Sequence, residues 1–270
     1  VRKRAPKGQV FLADNEVLRR VADATAVAAD ETVLEIGMGR GELTQHLVRR
    51  AAKVIAVEIE ERYTDAAAAA FADYDNLTVV HANILDVDWD ELLPPEGRVV
   101  VVGNIPFYLT APLLRLLFEH RRRLTRWSLL LQREVAERIC AGPGGKDYGA
   151  LSVKMQFWGE PRLAFVVPAT AFEPRPKVDA ALVNYYYYEA PEAGLGRPEL
   201  FDAFVDFVFG GRRKKIGNRL ASFLGSGRGG AQKIAAKLGA AGFDADARAE
   251  RFSPDDFVKL YALLEPHIEV

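Results

Sequence analysis

Short apolar runs that alternate with stretches of helical spacing constrain the fold more than any other feature of this chain. The runs are Thr32–Ile36, KVIAVEIE at 53–60, LTVVHANI at 77–84 and RVVVVGNI at 98–105. A run that stays apolar on successive positions fits a strand covered on both faces, and the four valines of 99–102 fit it best. Between them, GELTQHLVRRA at 41–51 and the alanine-rich 62–72 carry helical spacing, as does 112–120 further on. Such alternation builds βαβ units and a mostly parallel sheet, so the fold class is α/β.

The flanking pattern sets the domain plan. Residues 14–29 read as a helix that Asp14 can cap. WSLLLQ at 127–132 is a further strand, REVAERIC at 133–140 a helix, and AGPGGKDYG at 141–149 a loop. Residues 151–158 and 163–167 are expected as strands, with VDAALVNYYYYEA at 178–190 as the last. EAPEAGLGRPE reads as a linker, and beyond it the spacing is purely helical over 199–209, 212–224, 231–241 and 254–264, with Pro254 at a first helical position. The expected plan is an α/β domain over 1–188 and a small all-helical domain over 189–270. A chain of 270 residues has room for both.

Composition removes several classes. One cysteine excludes an internal disulfide scaffold and fits a reducing, cytoplasmic setting. No run approaches 18 apolar residues, so no membrane span is expected, and the start has no apolar run of signal-peptide length. The single cysteine also lacks any metal-ligand spacing, so no metal site is expected. Nothing in the sequence demands an oligomer, and a monomer is expected.

Glu35, Gly37, Gly39 and Gly41 form an E-x-G-x-G-x-G turn between strand and helix. Glycines there let backbone approach a ligand closely. Glu58 ends the next strand, where a carboxylate can hold both hydroxyls of a ribose. Residue 42 is glutamate where a dinucleotide fingerprint has its third glycine, and no Lys-Ser or Lys-Thr follows as in a P-loop. Acidic residues around the turn suit a cationic cofactor, S-adenosylmethionine, better than a pyrophosphate. A tight turn with a structural glutamate is the plainer alternative. Asn83, at the end of the third strand, can accept from an adenine amino group or simply cap the strand.

The fourth strand runs into Asn104, Ile105, Pro106 and Phe107. This sequence suits methylation of a planar amine. The Asn104 oxygen and a backbone carbonyl of 104–105 can accept both N–H bonds, and Phe107 can stack on the ring. No general base is needed, because the proton can leave after transfer. Phe172, in the stiff PATAFEPRPK segment, can supply a second aromatic face for an extruded base, or pack under the sheet edge.

The net charge of −1 excludes a globally basic nucleic-acid coat but not local patches. Residues 212–237 hold eight basic side chains and no acid: Arg212, Arg213, Lys214, Lys215, Arg219, Arg228, Lys233 and Lys237. Arg121, Arg122, Arg123 and Arg126 form a second group, and Arg2, Lys3, Arg4 and Lys7 a third. Each can bind phosphate without selecting sequence, or face solvent.

The blocks KGQVFLAD, LEIGMGRGELT, VIAVE, VVGNIPF, QREVAERI, KDYGALSV, PATAFEPRPKVDAALV and FGGRRKKIGNRL together resemble the ribosomal RNA adenine N6-dimethyltransferases, the KsgA family, related to the Erm methylases. The resemblance spans nearly the whole chain in the family's order. It implies a Rossmann-like methyltransferase domain, S-adenosylmethionine, and dimethylation of two adjacent adenosines near the 3′ end of small-subunit rRNA during subunit assembly. By motif it assigns Gln9, Phe11 and Leu12 to a segment, within 1–13, that folds over the cofactor. Gly37, Gly39 and Gly41 take the methionine side, Glu58 the ribose, and Asn83 and Ile84 the adenine, with Ile59 a further cofactor-binding candidate. Asn104, Ile105, Pro106, Phe107 and Phe172 take the target base, with Asn104 also beside the cofactor. Arg121, Arg122, Arg123, Arg212, Arg213, Lys214, Lys215 and Arg219 are the RNA-binding candidates. Asn83 replaces the family's usual aspartate, Phe107 the commoner tyrosine, and IGMGRG the usual IGPG. The NIPF tetrapeptide is also similar to the Erm branch, whose target lies in large-subunit rRNA. An amino-group methyltransferase with another substrate, and a non-catalytic assembly factor, are the remaining alternatives.

Overall fold

The computed structural model describes residues 9–191, 195–211, 213–225 and 230–267. It divides into two compact units. Unit 1 takes the chain up to Ala136 and 161–187, and unit 2 takes 137–160 and the chain from Tyr188 onward. In order, unit 1 contains β1 (Phe11–Leu12), α1 (Asn15–Ala24), β2 (Thr32–Ile36), α2 (Thr44–Leu47), β3 (Lys53–Glu58), α3 (Glu61–Ala70) and β4 (Leu77–His81). Then come α4 (Trp89–Leu92), β5 (Val99–Asn104), α5 (Thr110–Glu119) and β6 (Leu124–Gln132). The chain leaves unit 1 within α6 (Arg133–Cys140), forms α7 (Ala150–Trp158), and returns within β7 (Gly159–Val167) to β8 (Phe172–Glu173) and β9 (Ala180–Tyr187).

The seven-stranded sheet has the order β4-β3-β2-β5-β6-β9-β7. Pairs β3/β4, β2/β3, β2/β5 and β5/β6 are parallel, and β6/β9 is antiparallel. The fold is Rossmann-like, as expected. Strand order reverses between β2 and β5, and the crevice beyond the carboxyl ends at such a reversal is where ligands bind in open α/β sheets. Val99, Val100, Val101 and Val102 are at most 1% exposed, which accounts for the uninterrupted valine run. Asp14 caps α1 by accepting from the Glu16 and Val17 amides at 2.9 and 3.1 Å. That helix stops at Ala24, short of 29, because Ala26 takes a left-handed φ of 50°.

Unit 2 is completed by α8 (Phe201–Phe209), α9 (Ile216–Phe223), α10 (Gly230–Ala240) and α11 (Pro254–Leu264). Phe201, Phe204, Phe257 and Tyr261 are fully buried there, with Phe204 and Tyr261 meeting edge-on at 5.3 Å. Each such side chain contributes roughly 1.5–3 kcal/mol by leaving water. Pro254 does open α11, after Ser253, whose hydroxyl accepts from the Asp256 amide at 3.1 Å.

Two expectations need correction. Residues 151–158 form helix α7, not a strand. Their apolar positions alternate at Leu151, Val153, Met155 and Phe157, which mimics a strand, but the polar ones decide the matter. Ser152 and Gln156, one helical turn apart, point the same way; the Ser152 hydroxyl donates to Arg138 O at 2.5 Å and the Gln156 amide to Ile139 O and Ala141 O at 3.0 and 2.8 Å. They satisfy the carbonyls left over at the end of α6. The division of the chain also differs from a single cut at 188: 137–160 belongs with the helical unit, because α7 packs on α8 and α11.

Candidate active site

The turn after β2 and the turn after β5 lie side by side. Ile36 pairs with Gly103, and a Cβ built on Gly37 would stand 3.9 Å from Asn104 O. Gly39 has φ +55°, and a Cβ there would meet the Phe11 ring at 2.9 Å; Gly41 has φ +88°, and its Cβ would meet the Phe71 ring at 2.6 Å. Only glycine satisfies both the conformation and the space at these two positions.

A cleft opens beside these turns. One part is lined by Gln9, Phe11, Leu12, Glu35, Gly37, Gly39, Glu58, Asn104 and Pro106. The other shares Gln9, Gly37, Glu58 and Pro106 and adds Ile59, Asn83, Ile84 and Tyr108. The cofactor candidates therefore converge, with Gly41 closing the turn behind them. Glu58 is 2% exposed; its Oε2 accepts from Gly39 N and its Oε1 from Glu60 N, both at 2.9 Å. The carboxylate thus fixes the glycine turn in addition to facing the cleft.

Two buried oxygens around the first part of the cleft have no hydrogen-bond partner: Gln9 Oε1 and Asn104 Oδ1. Both are acceptors, which suits a cationic ligand rich in N–H donors and does not suit a phosphate. S-adenosylmethionine fits this chemistry. Burial lifts the Glu35 pKa to about 8; a hydrogen bond from Thr44 opposes the rise, and the nearby Glu42 and Glu58 charges add to it. The sequence offers Glu35 either as one of the acids facing a cationic cofactor or as a structural glutamate of the turn. The signal was an acid inside an otherwise apolar strand.

The N-terminal segment is held over the cleft at two points. Asn104 Nδ2 donates to Val10 O at 3.2 Å, and β1 pairs with β8 so that Leu12 faces Phe172. Phe11 lies edge-on to Tyr63 at 5.7 Å and under the Arg40 guanidinium at 4.6 Å. Residues 1–8, with Arg2, Lys3, Arg4 and Lys7, lie outside the described residues.

The aromatics of the target-base proposal are less open. Phe172 is only 4% exposed, inside a core cluster against which the half-buried Phe107 packs. Neither ring lines the cleft; Tyr108, 59% exposed, does. Tyr108 was missed because a single tyrosine after the tetrapeptide carries no pattern.

The basic candidates separate. Arg121, Arg122 and Arg123 precede Leu124, which pairs with Val99 at the amino end of β5, whereas Asn104 ends that strand. Six residues at ~3.3 Å put these arginines roughly 20 Å from the cleft along the sheet. Arg123 binds Asp90 and Pro94 O at 3.0 and 2.6 Å, and Arg121 binds Phe118 O at 3.1 Å. In unit 2, Arg213, Lys214 and Lys215 are exposed, with Lys215 3.0 Å from Asp246. Arg219 is half-buried over the Phe207 ring and donates to Phe207 O, closing the end of α8. Arg212 and Arg228 lie outside the described residues. Among the described residues no cluster of metal-ligating side chains occurs, and no helix is long and apolar enough to cross a membrane.

The sequence profile described as ribosomal RNA adenine dimethylase matches residues 1–265. The chain belongs to that family. Relatives of this rRNA adenine dimethylase include the ribosomal RNA small subunit methyltransferase A of Moorella thermoacetica, 38% identical over 97% of this chain and 92% of that one. The protein of the same description from Geobacillus thermodenitrificans is 35% identical over 97% and 91%. Among solved structures, a dimethyladenosine transferase from Plasmodium falciparum shares the fold with a TM-score of 0.81 at 23% identity, over 95% of this chain and 98% of that one. The 23S rRNA methyltransferase ErmE has a TM-score of 0.75 at 26% identity, over 94% and 99%.

Proposed function

We propose that this dimethylase transfers methyl groups to N6 of two adjacent adenosines near the 3′ end of small-subunit rRNA, within the subunit or its precursor, in the cytoplasm and as a monomer. The observation that carries the reading is the unpartnered Asn104 Oδ1, fixed by the Val10 contact of its own Nδ2 and set beside the glycine turn. S-adenosylmethionine, when bound, supplies a methyl group on a positively charged sulfur. Glu58 gives the cleft the negative charge that a cationic ligand requires, and Glu35 adds to it once a cation displaces its proton. Gln9, Phe11 and Leu12 cover it and exclude water. Asn104 Oδ1 accepts one N6–H bond and a backbone carbonyl of 104–105 the other, so that the nitrogen lone pair turns out of the ring plane. Pro106 holds the turn, and Phe107, packed on the core cluster that contains Phe172, fixes the ring once the base is extruded. The spent proton leaves to solvent, and no general base is called on. Arg213, Lys214 and Lys215 hold phosphates of the RNA, and the unit-2 region 189–270 serves as the RNA-binding part.

The 26% identity to ErmE supports one competing reading, methylation of large-subunit rRNA. Incubation of labelled donor with unmethylated small and large subunits, followed by mass-spectrometric mapping, separates the two. Label on paired adenosines of small-subunit rRNA is the expected result. Label confined to large-subunit rRNA would establish the competitor.

A further inference from the structure

The side chain of Asn83 is held at both ends. Its Oδ1 accepts from the Leu85 amide at 3.2 Å, and its Nδ2 donates to Asp86 Oδ2 at 2.6 Å. A backbone N–H can only donate, and an ionised carboxylate can only accept. The flipped amide would therefore lose both contacts, so chemistry fixes which end is oxygen and which is nitrogen. Asn83 lines the cleft beside Ile59 and Tyr108; Asp86 does not line it and is exposed to solvent. Each end of the locked amide keeps one capacity, a lone pair on Oδ1 and an N–H on Nδ2. A 6-aminopurine presents the complement, an amino donor next to a ring-nitrogen acceptor. A 6-oxopurine presents a carbonyl acceptor next to N1–H, which needs the amide reversed.

We propose that Asp86 is a specificity-determining positioning residue, locking the Asn83 amide in the one orientation that reads the 6-amino group of the cofactor's purine. This rests on the cofactor being S-adenosylmethionine and not on which RNA is methylated. A carboxylate at position 83 would be an acceptor whichever way it turned. An amide has to be oriented, and Asp86 orients it together with the Leu85 N–H.

The test compares calorimetric affinities for S-adenosylhomocysteine and its deaminated analogue, S-inosylhomocysteine. Wild type is expected to prefer the adenosyl compound by about 5- to 150-fold, the range that one bidentate amide–purine pair discriminates. In Asp86→Ala only the Leu85 N–H still favours one orientation of the amide, so the preference is expected to fall by about fivefold or more, with the inosyl compound bound as tightly as before or more tightly. Asp86→Asn keeps the shape of the side chain but can face either end of the Asn83 amide, and a fall of the same size is expected. Equal weakening of both ligands with the preference intact would show a merely structural role and overturn the proposal. So would a wild type that binds the two alike. Binding of neither compound to wild type would instead remove the cofactor reading, and RNA mapping is independent of both results.

Discussion

Replacing Glu35 by Gln is expected to stabilise the ligand-free protein while weakening its hold on the methyl donor. Glu35 is 1% exposed, and its pKa rises from 4.5 to about 8 because desolvation of the charged form outweighs a hydrogen bond from Thr44. The folded state therefore holds a proton that the unfolded chain releases between pH 4.5 and pH 8. Stability contributed by this group is complete below the lower value and falls as pH rises through the window. At one pKa unit per 1.36 kcal/mol, the loss is about 3 kcal/mol at pH 7 and about 5 kcal/mol above pH 9. Glu35→Gln removes the titration, so its melting temperature should exceed wild type by roughly 6–12 °C at pH 7 and match it near pH 4. Binding runs the other way. A cation beside Glu35 favours the carboxylate, so wild-type affinity for S-adenosylmethionine relative to S-adenosylhomocysteine should climb as pH rises through about 8. The ratio cancels the α-amino group that both compounds carry. Glu35→Gln should flatten that ratio. Melting curves and calorimetry across pH 5–9 check both halves. A variant no more stable than wild type at pH 7, with the pH-dependent ratio intact, would refute the reasoning.

Phe107→Ala is expected to lower kcat/KM for RNA by about 5- to 150-fold, the cost of losing one base–aromatic stack, while donor affinity changes less than threefold; equal turnover in the two proteins would remove Phe107 from the site. Reversing the charges of Arg213, Lys214 and Lys215 is expected to reduce the salt slope of RNA binding by about 2–3, near one unit per lost phosphate contact, with donor affinity unchanged. Filter binding at several salt concentrations reads the slope, and an unaltered slope would leave these side chains as solvated surface.

The parts of the fold that could be read from the sequence are those where one residue pattern has one physical solution. Val99–Val102 cannot be a surface strand, and Gly39 and Gly41 occupy backbone conformations and spaces that no other residue fits. The turn at 104–107 was legible for the same reason, since an asparagine and a rigid proline directly follow a buried strand. Other features depend on contacts between segments distant in sequence. The two-residue pairing of β1 with β8 joins Leu12 to Phe172 across some 160 positions and has no local pattern. The alternation over 151–157 pointed to a strand, and only the contacts of Ser152 and Gln156 with the end of α6 reveal the helix. Arginines read alike wherever they fall. The register of β5 against β6 is what sets Arg121, Arg122 and Arg123 at the far end of the sheet from Asn104, and the Phe207 ring is what turns Arg219 into a helix cap.

Single-turnover methyl transfer by Asn104→Ala, with donor affinity measured on the same preparation, tests the central claim most directly. Loss of a positioned acceptor for the reacting amine is expected to slow transfer to small-subunit rRNA by about 100-fold or more, while S-adenosylhomocysteine binds within about fivefold of wild type. Transfer at the wild-type rate would contradict the account, because the oxygen left without a partner beside the glycine turn would then have no part in holding the amine.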